Sequence, residues 1–583
     1  MAEGHVRFTS LPERSRLLVL SPVVGVLAGA AAVLLTFLID LIKDLVDNCF
    51  VDSAIHWQYL VLPGAGMLIS LLLVRFLIRD NIGHGVTKVL LAISRGDSKI
   101  KPHNMWSSML TSSITIGLGG SVGAEAPIVY TGAAIGSNLA RLSKLSYRNV
   151  TLLLGCGAAG AIAGIFKAPL AGVLFTMEIL LFNMSMSSLF PLLLSAISAT
   201  VVSYIFRGQR PIFACTLTEF SMGNLPFYLI FGVLMGFCAL YFTNTTLWLE
   251  DRISSCRNSY LKWFLCSAGL GLLIFLFPIL YGEGYDSLSY LLNGRPLPEG
   301  AGTVLPFLSN SAWGVPVLFV FVFLFKVFAM TFTNAGGGNG GTFGPTLFSG
   351  AIMGFAIARI LNLLGAGVPE QNFALVGMAA LMAAVMQAPM TAIFLIAEIS
   401  GGYALLIPLI LTSTISYGTV RIFEKYSIYT KRIAQSGDLI THDSDKAVLT
   451  LMNLSSLIRD KYPRVHPEMT LRDVTQIVSQ TTAAVLAVVD DNQIFQGLID
   501  VGNVRKYLLE TSQYDKLHVY NIMEMSPAII HDDDKMEEVM ATFDKTGAWR
   551  LPVVERGGRY LGFISRSRLL MAYRDELKEI SQD

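Results

Sequence analysis

The stretch Gly119-Gly-Ser-Val-Gly-Ala-Glu-Ala-Pro127 decides the fold of this chain, because it leads directly into the apolar segment Ile128–Ala140. Its glycines allow a tight turn and a close approach to a ligand, and Pro127 suits the first turn of a helix, where no N–H group is needed. Glu125 is therefore predicted to lie at a helix start. A helix N-terminus favours an anion, and here the chain supplies a carboxylate of its own.

Glu125 has two interpretations. Apolar segments flank it, and an ionisable group at membrane depth is costly enough to indicate a function. As a gate, the ionised carboxylate would occupy an anion site, and the protonated side chain would swing away. As a cap, it would only stabilise its own helix. The stretch by itself leaves both open.

The composition places this stretch in a membrane. Of the 583 residues, 53% are hydrophobic and only 15% are charged, and the mean hydropathy is +0.56, which is too apolar for a soluble protein of this length. A net charge of +1 without a basic cluster argues against nucleic acid as a partner. The cysteines lack the spacing of a metal site; they are Cys49, Cys156, Cys215, Cys238, Cys256 and Cys266. We expect an all-α polytopic membrane protein with no metal site.

The N-terminal part predicts two membrane crossings. Arg7, Arg14 and Arg16 precede the apolar run Leu17–Ile39, which is too long for the core of a signal peptide. A second apolar run, Trp57–Leu77, leads into a loop rich in lysine and arginine. Since cytoplasmic loops carry the excess of positive charge, the N-terminus and this loop are expected in the cytoplasm.

Two pairs of segments show an internal duplication. Gly123–Gly136 recurs as Gly341–Gly354, and Gly157–Ile179 recurs as Gly377–Ile399, with offsets of 218 and 220 residues. Glycine and proline break the apolar segments in both copies, and in transporters such broken helices form the substrate site between two repeats. We expect a membrane domain over residues 1–435, with repeat halves at about 15–210 and 225–430.

Phe343 occupies the place of Glu125 in the second copy. The two helix starts are therefore expected to approach one site from the two halves. One would bring a titratable side chain and the other would bring backbone N–H groups.

The ordered motifs resemble those of the CLC chloride channels and chloride/proton antiporters. Gly123-Ala-Glu-Ala-Pro127 is similar to the family motif G-x-E-x-P with its gating glutamate, and Gly341-Thr-Phe-Gly-Pro345 is similar to G-x-F-x-P. Ser427-Ile-Tyr-Thr430 places Tyr429 where the family has an anion-binding tyrosine. Gly83-His-Gly-Val86 stands where the family usually has G-S-G-x-P.

The resemblance implies a CLC-like inverted repeat of broken helices, a homodimer, and one anion pathway in each subunit. It implies Glu125 as the gate and six anion-binding residues: His84, Gly85, Val86, Thr342, Phe343 and Tyr429. Neutral N–H and O–H donors without a fixed cation would let chloride bind and still leave. The alternative for Tyr429 is an aromatic anchor at the membrane interface.

Several residues depart from the family pattern. His84 replaces the usual serine, Thr87 the usual proline, and Ala124 and Ala126 the commoner arginine and glycine. The histidine could donate to the anion or titrate near neutral pH, or it could be a solvated loop residue. Anion selectivity and pH response therefore stay open.

Proton coupling is the least determined property. Proton-coupled relatives carry an inner glutamate one residue after the position of Glu178, where this chain has Ile179. Glu178 recurs as Glu398, which favours a structural role at helix ends, and the remaining candidates for a proton path are Glu178, His84 and a water chain. We favour chloride/proton exchange, because one gating carboxylate can carry a proton as it alternates between sides. A passive chloride channel is the alternative.

Residues 436–583 have the composition of a soluble α/β domain. Two modules, at about 450–512 and 519–578, share one order of helices and strands, with first strands Val485–Val489 and Arg550–Val554. They resemble a cytoplasmic tandem of cystathionine-β-synthase (CBS) domains. The resemblance implies either adenine nucleotide binding, with Asp500 and Ser565 as candidate contacts, or a purely structural dimerisation role. No cofactor is required.

Two other classes of protein fit less well. A CBS-containing divalent-cation transporter would need clustered membrane carboxylates or carbonyl rings, whereas the broken segments carry one well-placed carboxylate, Glu125. A membrane-bound enzyme would need a nucleophile with its base or a Walker loop, and the sequence has neither. We therefore expect a transporter of chloride or a similar small anion in the bacterial inner membrane, with both termini in the cytoplasm.

Overall fold

Apolar stretches form long helices in the first part of the chain. The computed structural model describes residues 12–49, 58–80, 82–94, 98–180, 186–213, 217–295, 302–303, 311–436, 449, 452, 454–508 and 511–581. Within these ranges nine helices are long and apolar enough to cross a membrane. The chain divides into two compact units, Met1–Leu439 and Ile440–Asp583.

The first half of the membrane unit contains eight helices among its described residues. The first runs through Pro22 and is longer than the predicted run 17–39, and the second starts at Gln58 within the described residues. The helices are α1 (Glu13–Cys49), α2 (Gln58–Leu72, with a π-helical continuation Leu73–Ile78), α3 (Gly85–Ser94), α4 (Ser107–Gly117), α5 (Glu125–Leu142), α6 (Tyr147–Phe166), α7 (Pro169–Ile179) and α8 (Met186–Arg207).

The second half continues with nine helices in its described part. They are α9 (Leu225–Ser254), α10 (Ser259–Leu276), α11 (Tyr285–Leu292), α12 (Gly314–Ala335), α13 (Phe343–Leu363), α14 (Glu370–Met386), α15 (Pro389–Ile399), α16 (Leu406–Phe423) and α17 (Thr430–Ser436). Helices α13 to α15 are the counterparts of α5 to α7, so the repeated segments of sequence form the same elements twice.

Glycines let the same pair of helices approach closely in both repeats. A Cβ on Gly132 of α5 would lie 2.2 Å from the carbonyl oxygen of Gly157 in α6. A Cβ on Gly350 of α13 would lie 2.4 Å from the carbonyl oxygen of Gly377 in α14. Small residues at such crossings bring two backbones into contact in membrane proteins. The duplication therefore repeats a helix crossing as well as a sequence motif.

The two G-x-x-x-P motifs meet in an antiparallel bridge. The N–H of Gly123 donates to the oxygen of Gly341 at 3.0 Å, and the N–H of Gly341 donates to the oxygen of Gly123 at 2.7 Å. Since α5 and α13 begin just after these glycines, the two helix starts face one place. This is the arrangement that the repeat predicts.

The C-terminal unit contains two three-stranded sheets. In each, the first two strands are parallel and the last two antiparallel. The predicted strands Val485–Val489 and Arg550–Val554 are confirmed, but a short strand that was not predicted precedes each of them. The first module has α18 (Leu454–Leu457), β1 (Arg464–Val465), α19 (Leu471–Ser479), β2 (Val485–Val489), β3 (Phe495–Asp500) and α20 (Val501–Leu508). The second has α21 (Val519–Ile522), β4 (Ile530–His531), α22 (Met536–Thr546), β5 (Arg550–Val554), β6 (Tyr560–Ser565) and α23 (Arg566–Ser581).

Candidate anion pathway and gate

Glu125 is the first residue of α5, and only 1% of it is exposed. Its Oε2 accepts the N–H of Gly344 at 3.1 Å, and its Oε1 accepts the hydroxyl of Tyr285 at 2.5 Å. Gly344 belongs to the first turn of α13, in the opposite repeat. The carboxylate therefore lies at the helix start where N–H groups favour an anion.

Glycine makes room for this carboxylate. A Cβ on Gly123 would lie 2.1 Å from Oε2 of Glu125 and 2.8 Å from the nitrogen of Gly344. Any larger residue would thus displace either the carboxylate or the start of α13. The glycine of the G-x-E-x-P motif is required by space here.

A small cavity of about 20 Å³ lies beside the start of α5 and is lined by most of the predicted anion-binding residues. His84, Val86, Thr342 and Tyr429 line it. Gly85 packs at the start of α3, where a Cβ would lie 2.4 Å from the oxygen of Ala126. Phe343 is buried, and its ring lies 5.5 Å from that of Phe166 and 6.2 Å from that of Phe175.

Tyr429 lies inside the protein at this cavity. Only 6% of it is exposed, and its hydroxyl accepts a hydrogen bond from Oγ1 of Thr342 at 3.2 Å. An interfacial anchor would present its ring to the membrane surface. The position of Tyr429 therefore argues against the anchor.

The cavity also contains a carboxylate that the sequence analysis missed. Glu250, near the end of α9, lines it together with His84, and His84 Nε2 lies 3.9 Å from Glu250 Oε1. The Glu250 side chain is 9% exposed, whereas that of His84 is 40% exposed. Glu250 could have been identified from the sequence, because it is an acidic residue in a largely apolar helix. Its position next to His84 follows only from the fold.

Glu178 and Glu398 each cap a helix start in the opposite repeat. Glu178, at the end of α7, accepts the N–H groups of Met390 and Thr391 at 3.0 and 2.6 Å, at the start of α15. Glu398, at the end of α15, accepts the N–H groups of Leu170 and Ala171 at 3.1 and 3.0 Å, at the start of α7. Both carboxylates satisfy helix starts that would otherwise lack acceptors. The neighbouring Ile179 is buried.

Two charged groups near Glu125 were not anticipated from the sequence. Ala124 donates its N–H to Oε1 of Glu283 at 2.9 Å, so a second carboxylate lies next to the gate. Lys326, in α12, is fully buried and donates to Oγ of Ser121 at 2.8 Å. Lys326 could have been identified from the sequence, because it is a single lysine in an apolar helix of 22 residues. The residues that flank Glu283 in the sequence offered no such indication.

Asp500 and Ser565 occupy equivalent places in the two modules of the C-terminal unit. Asp500 ends β3 opposite Val485, and Ser565 ends β6 opposite Arg550. Asp500 Oδ1 accepts the N–H of Gly502 at 2.8 Å, and Ser565 Oγ accepts the N–H of Arg568 at 3.4 Å. The described part of the chain holds no group of three or more His, Cys, Asp or Glu residues that could bind a metal.

Fold and site together define a membrane protein with a duplicated core, in which two helix starts from the two repeats face one place. The profile described as voltage gated chloride channel matches residues 65–421, and the CBS domain profile matches residues 454–510 and 519–575. The chain therefore belongs to the CLC family, with a C-terminal tandem of CBS domains. The resemblance, the helical membrane fold and the small α/β tandem are confirmed, and the protein is a transport protein and not an enzyme.

Similar proteins include channels and exchangers. The chloride channel protein CLC-e of Arabidopsis thaliana is 27% identical over 70% of this chain, which spans 60% of that protein. The H(+)/Cl(-) exchange transporter ClcA of Salmonella paratyphi B is 28% identical over 68% of this chain and 83% of its own length. The crystal structure of a slow cyanobacterial Cl-/H+ antiporter superimposes with a TM-score of 0.62 at 23% identity, covering 73% of this chain and 99% of that one.

Proposed function

We propose that the protein exchanges chloride for protons across the membrane, with Glu125 as the gate of one pathway in each subunit of a homodimer. The observation that carries this proposal is the bond from Gly344 N–H to the Glu125 carboxylate at 3.1 Å. A chloride ion at the start of α13 would compete with that carboxylate for the same donor. Protonation of Glu125 removes its charge, so the anion can take its place.

Transport measured in liposomes tests this function. Purified protein is expected to release chloride from loaded vesicles. Vesicles loaded with Mg²⁺ and an impermeant anion should release no Mg²⁺. In planar bilayers at fixed chloride, a proton gradient should shift the reversal potential. A reversal potential set by chloride alone would identify a passive channel, and Mg²⁺ movement would identify a divalent-cation transporter.

The proton path needs groups on both sides of the gate. Glu178 is held by N–H groups of α15, which makes it a poor carrier, and Ile179 has no titratable group. His84 at the cavity is the better candidate, with Glu250 beside it. Positive charge near the N-terminus and in the loop after α2 supports cytoplasmic termini, and we place the protein in a bacterial inner membrane as part of this proposal.

Replacing Tyr429 with Phe is expected to weaken chloride binding about fivefold. The change deletes one O–H donor at the cavity, which is worth about 1 kcal/mol. Isothermal titration calorimetry on the detergent-solubilised protein measures the affinity. Tyr403→Phe is the matched control, because Tyr403 is half exposed and follows the end of α15. An affinity of Tyr429→Phe equal to that of the control would remove Tyr429 from the site.

Adenine nucleotide is expected to bind the CBS tandem if Asp500 and Ser565 act as contacts. A ligand that binds only the folded state raises its stability by about 2.7 kcal/mol at a hundredfold excess over Kd. Thermal unfolding of the whole protein with millimolar ATP or AMP measures this, and Asp500→Ala and Ser565→Ala should reduce the shift. Unfolding that is insensitive to both nucleotides would favour a structural dimerisation role.

A further inference from the structure

One segment of the chain lies along the whole gate loop. We call Gly119–Glu125 the gate loop and Leu280–Tyr285 the clasp. Near the start of the gate loop, the clasp residue Gly282 donates its N–H to the oxygen of Gly119 at 3.2 Å, and Ser121 Oγ donates to the oxygen of Leu280 at 2.6 Å. The clasp therefore holds the gate loop before the gating residue is reached.

At its other end the clasp holds the gate itself. Glu283 Oε1 accepts the N–H of Ala124 at 2.9 Å, and the Tyr285 hydroxyl donates to Oε1 of Glu125 at 2.5 Å. Two adjacent gate residues are thus bonded to two side chains of the clasp. The Glu283 carboxylate accepts an N–H group at the start of α5, and the Glu125 carboxylate accepts one at the start of α13. Each of the two facing helix starts therefore holds a carboxylate.

Lys326 joins the clasp to the gate loop with a buried charge. Its Nζ donates to Oγ of Ser121 at 2.8 Å and to the oxygen of Gly282 at 3.0 Å, and it lies 4.7 Å from the centre of the Phe348 ring. Neither hydrogen-bonding partner carries a charge. A buried ammonium group needs a counter-charge, and Glu283 is the carboxylate whose charge acts on it.

The charges around Glu283 come from five helices. Asp286 is 90% exposed, so solvent screens it, whereas Lys43, 3.8 Å away, is only 27% exposed and also acts on Glu283. Arg207 donates to the oxygen of Ile165. Glu125 and Lys326 are the buried members of the set. The titratable and charged groups that face Glu283 are Lys43 of α1, Glu125 of α5, Arg207 of α8, Tyr285 and Asp286 of α11, and Lys326 of α12.

We propose that Glu283, balanced by Lys326, is a second proton-binding carboxylate of the gate. This rests on the proposed role of Glu125. With both carboxylates ionised, Glu125, Glu283 and Lys326 together carry one net negative charge, and with one proton the three groups are neutral together. Two carboxylates close together in a buried site disfavour double ionisation and hold one proton between them. Glu283 thus receives or supplies the proton as Glu125 leaves and re-enters its site, and Tyr285 positions Glu125 in the closed state.

The proposal fixes the direction in which two substitutions move the pH of half-maximal chloride flux. Glu283→Gln removes a negative charge beside Glu125 but keeps an oxygen for the Ala124 N–H. Glu125 then stays ionised to lower pH, so half-maximal flux moves to lower pH by about one unit, a tenfold change in proton concentration. Lys326→Met removes a positive charge, so half-maximal flux moves to higher pH.

The experiment measures chloride efflux from liposomes over a pH series for Glu283→Gln, Lys326→Met and the double variant. The double variant removes both charges, so its pH of half-maximal flux should lie between those of the two single variants. Asp286→Asn is the control, because that carboxylate is exposed, and it should move the midpoint less than a third as far as Glu283→Gln. Size-exclusion chromatography identifies any variant that fails to fold. If Lys326→Met alone does not fold, the effect of Lys326 is measured by comparing the double variant with Glu283→Gln.

Three outcomes separate this proposal from the proposed function. Opposite shifts in the two single variants support it. Unmoved midpoints in both, with a flat profile in Glu125→Gln, would overturn the role of Glu283 and leave Glu125 as the gate. A profile in Glu125→Gln that still follows pH would overturn the gate assignment, and this proposal with it.

Discussion

Replacing Glu125 with Gln is expected to abolish the pH dependence of chloride flux and to leave the pathway open. The amide mimics the protonated carboxyl group and cannot ionise. It also loses the charge in the bonds to Gly344 and Tyr285, and charge-assisted bonds are worth about 1.5–3 kcal/mol each. The closed state should therefore become less favourable by about tenfold to a hundredfold per lost bond.

Chloride efflux from liposomes at several pH values measures this change. Glu219→Gln is the control, because Glu219 is an exposed carboxylate of the same unit and its loss should leave the pH profile as it is in the unmodified protein. If the profile of Glu125→Gln matched that of the control, Glu125 would be a structural residue of the helix start.

Replacing Gly132 with Ala is expected to destabilise the membrane unit. The new Cβ would lie 2.2 Å from the oxygen of Gly157, which is closer than any real contact, so α5 and α6 must move apart. Overpacking of this kind costs about 1–3 kcal/mol. Gly350→Ala should have a similar effect, because its Cβ would lie 2.4 Å from the oxygen of Gly377.

Thermal unfolding in detergent measures the loss. Gly418→Ala is the matched control within the same unit, since its Cβ would meet nothing within 4 Å. In the exposed interior of α16, alanine should stabilise the helix by up to about 1 kcal/mol. The two substitutions are therefore expected to change the stability in opposite directions, with a loss for Gly132→Ala and a gain for Gly418→Ala. Equal effects at both positions would contradict the close helix crossing.

Much of the fold was predictable because its signals are local. The apolar runs, the glycine and proline breaks, and the two repeats at offsets of 218 and 220 residues define the helices and their duplication. A helix start follows from a few neighbouring residues, so Glu125 could be placed at one from its motif. The strands Val485–Val489 and Arg550–Val554 followed in the same way from short apolar runs rich in valine.

The surroundings of the gate were not predictable, because their contacts join distant parts of the chain. Tyr285 is 160 residues from Glu125, and Lys326 is 205 residues from Ser121. Glu283 lies in a short turn between α10 and α11 that carries no motif. The role of Glu283 depends on which helix start this turn contacts in the folded protein.

The sequence by itself therefore determined the family, the duplication and the position of Glu125 at a helix start, since each is encoded by residues close together or by the order of motifs. Only the tertiary structure decided which charges face that glutamate. A buried carboxylate or ammonium group takes its role from the partners that replace water around it. For Glu283 and Lys326 those partners come from other segments of the chain, and only folding brings them together.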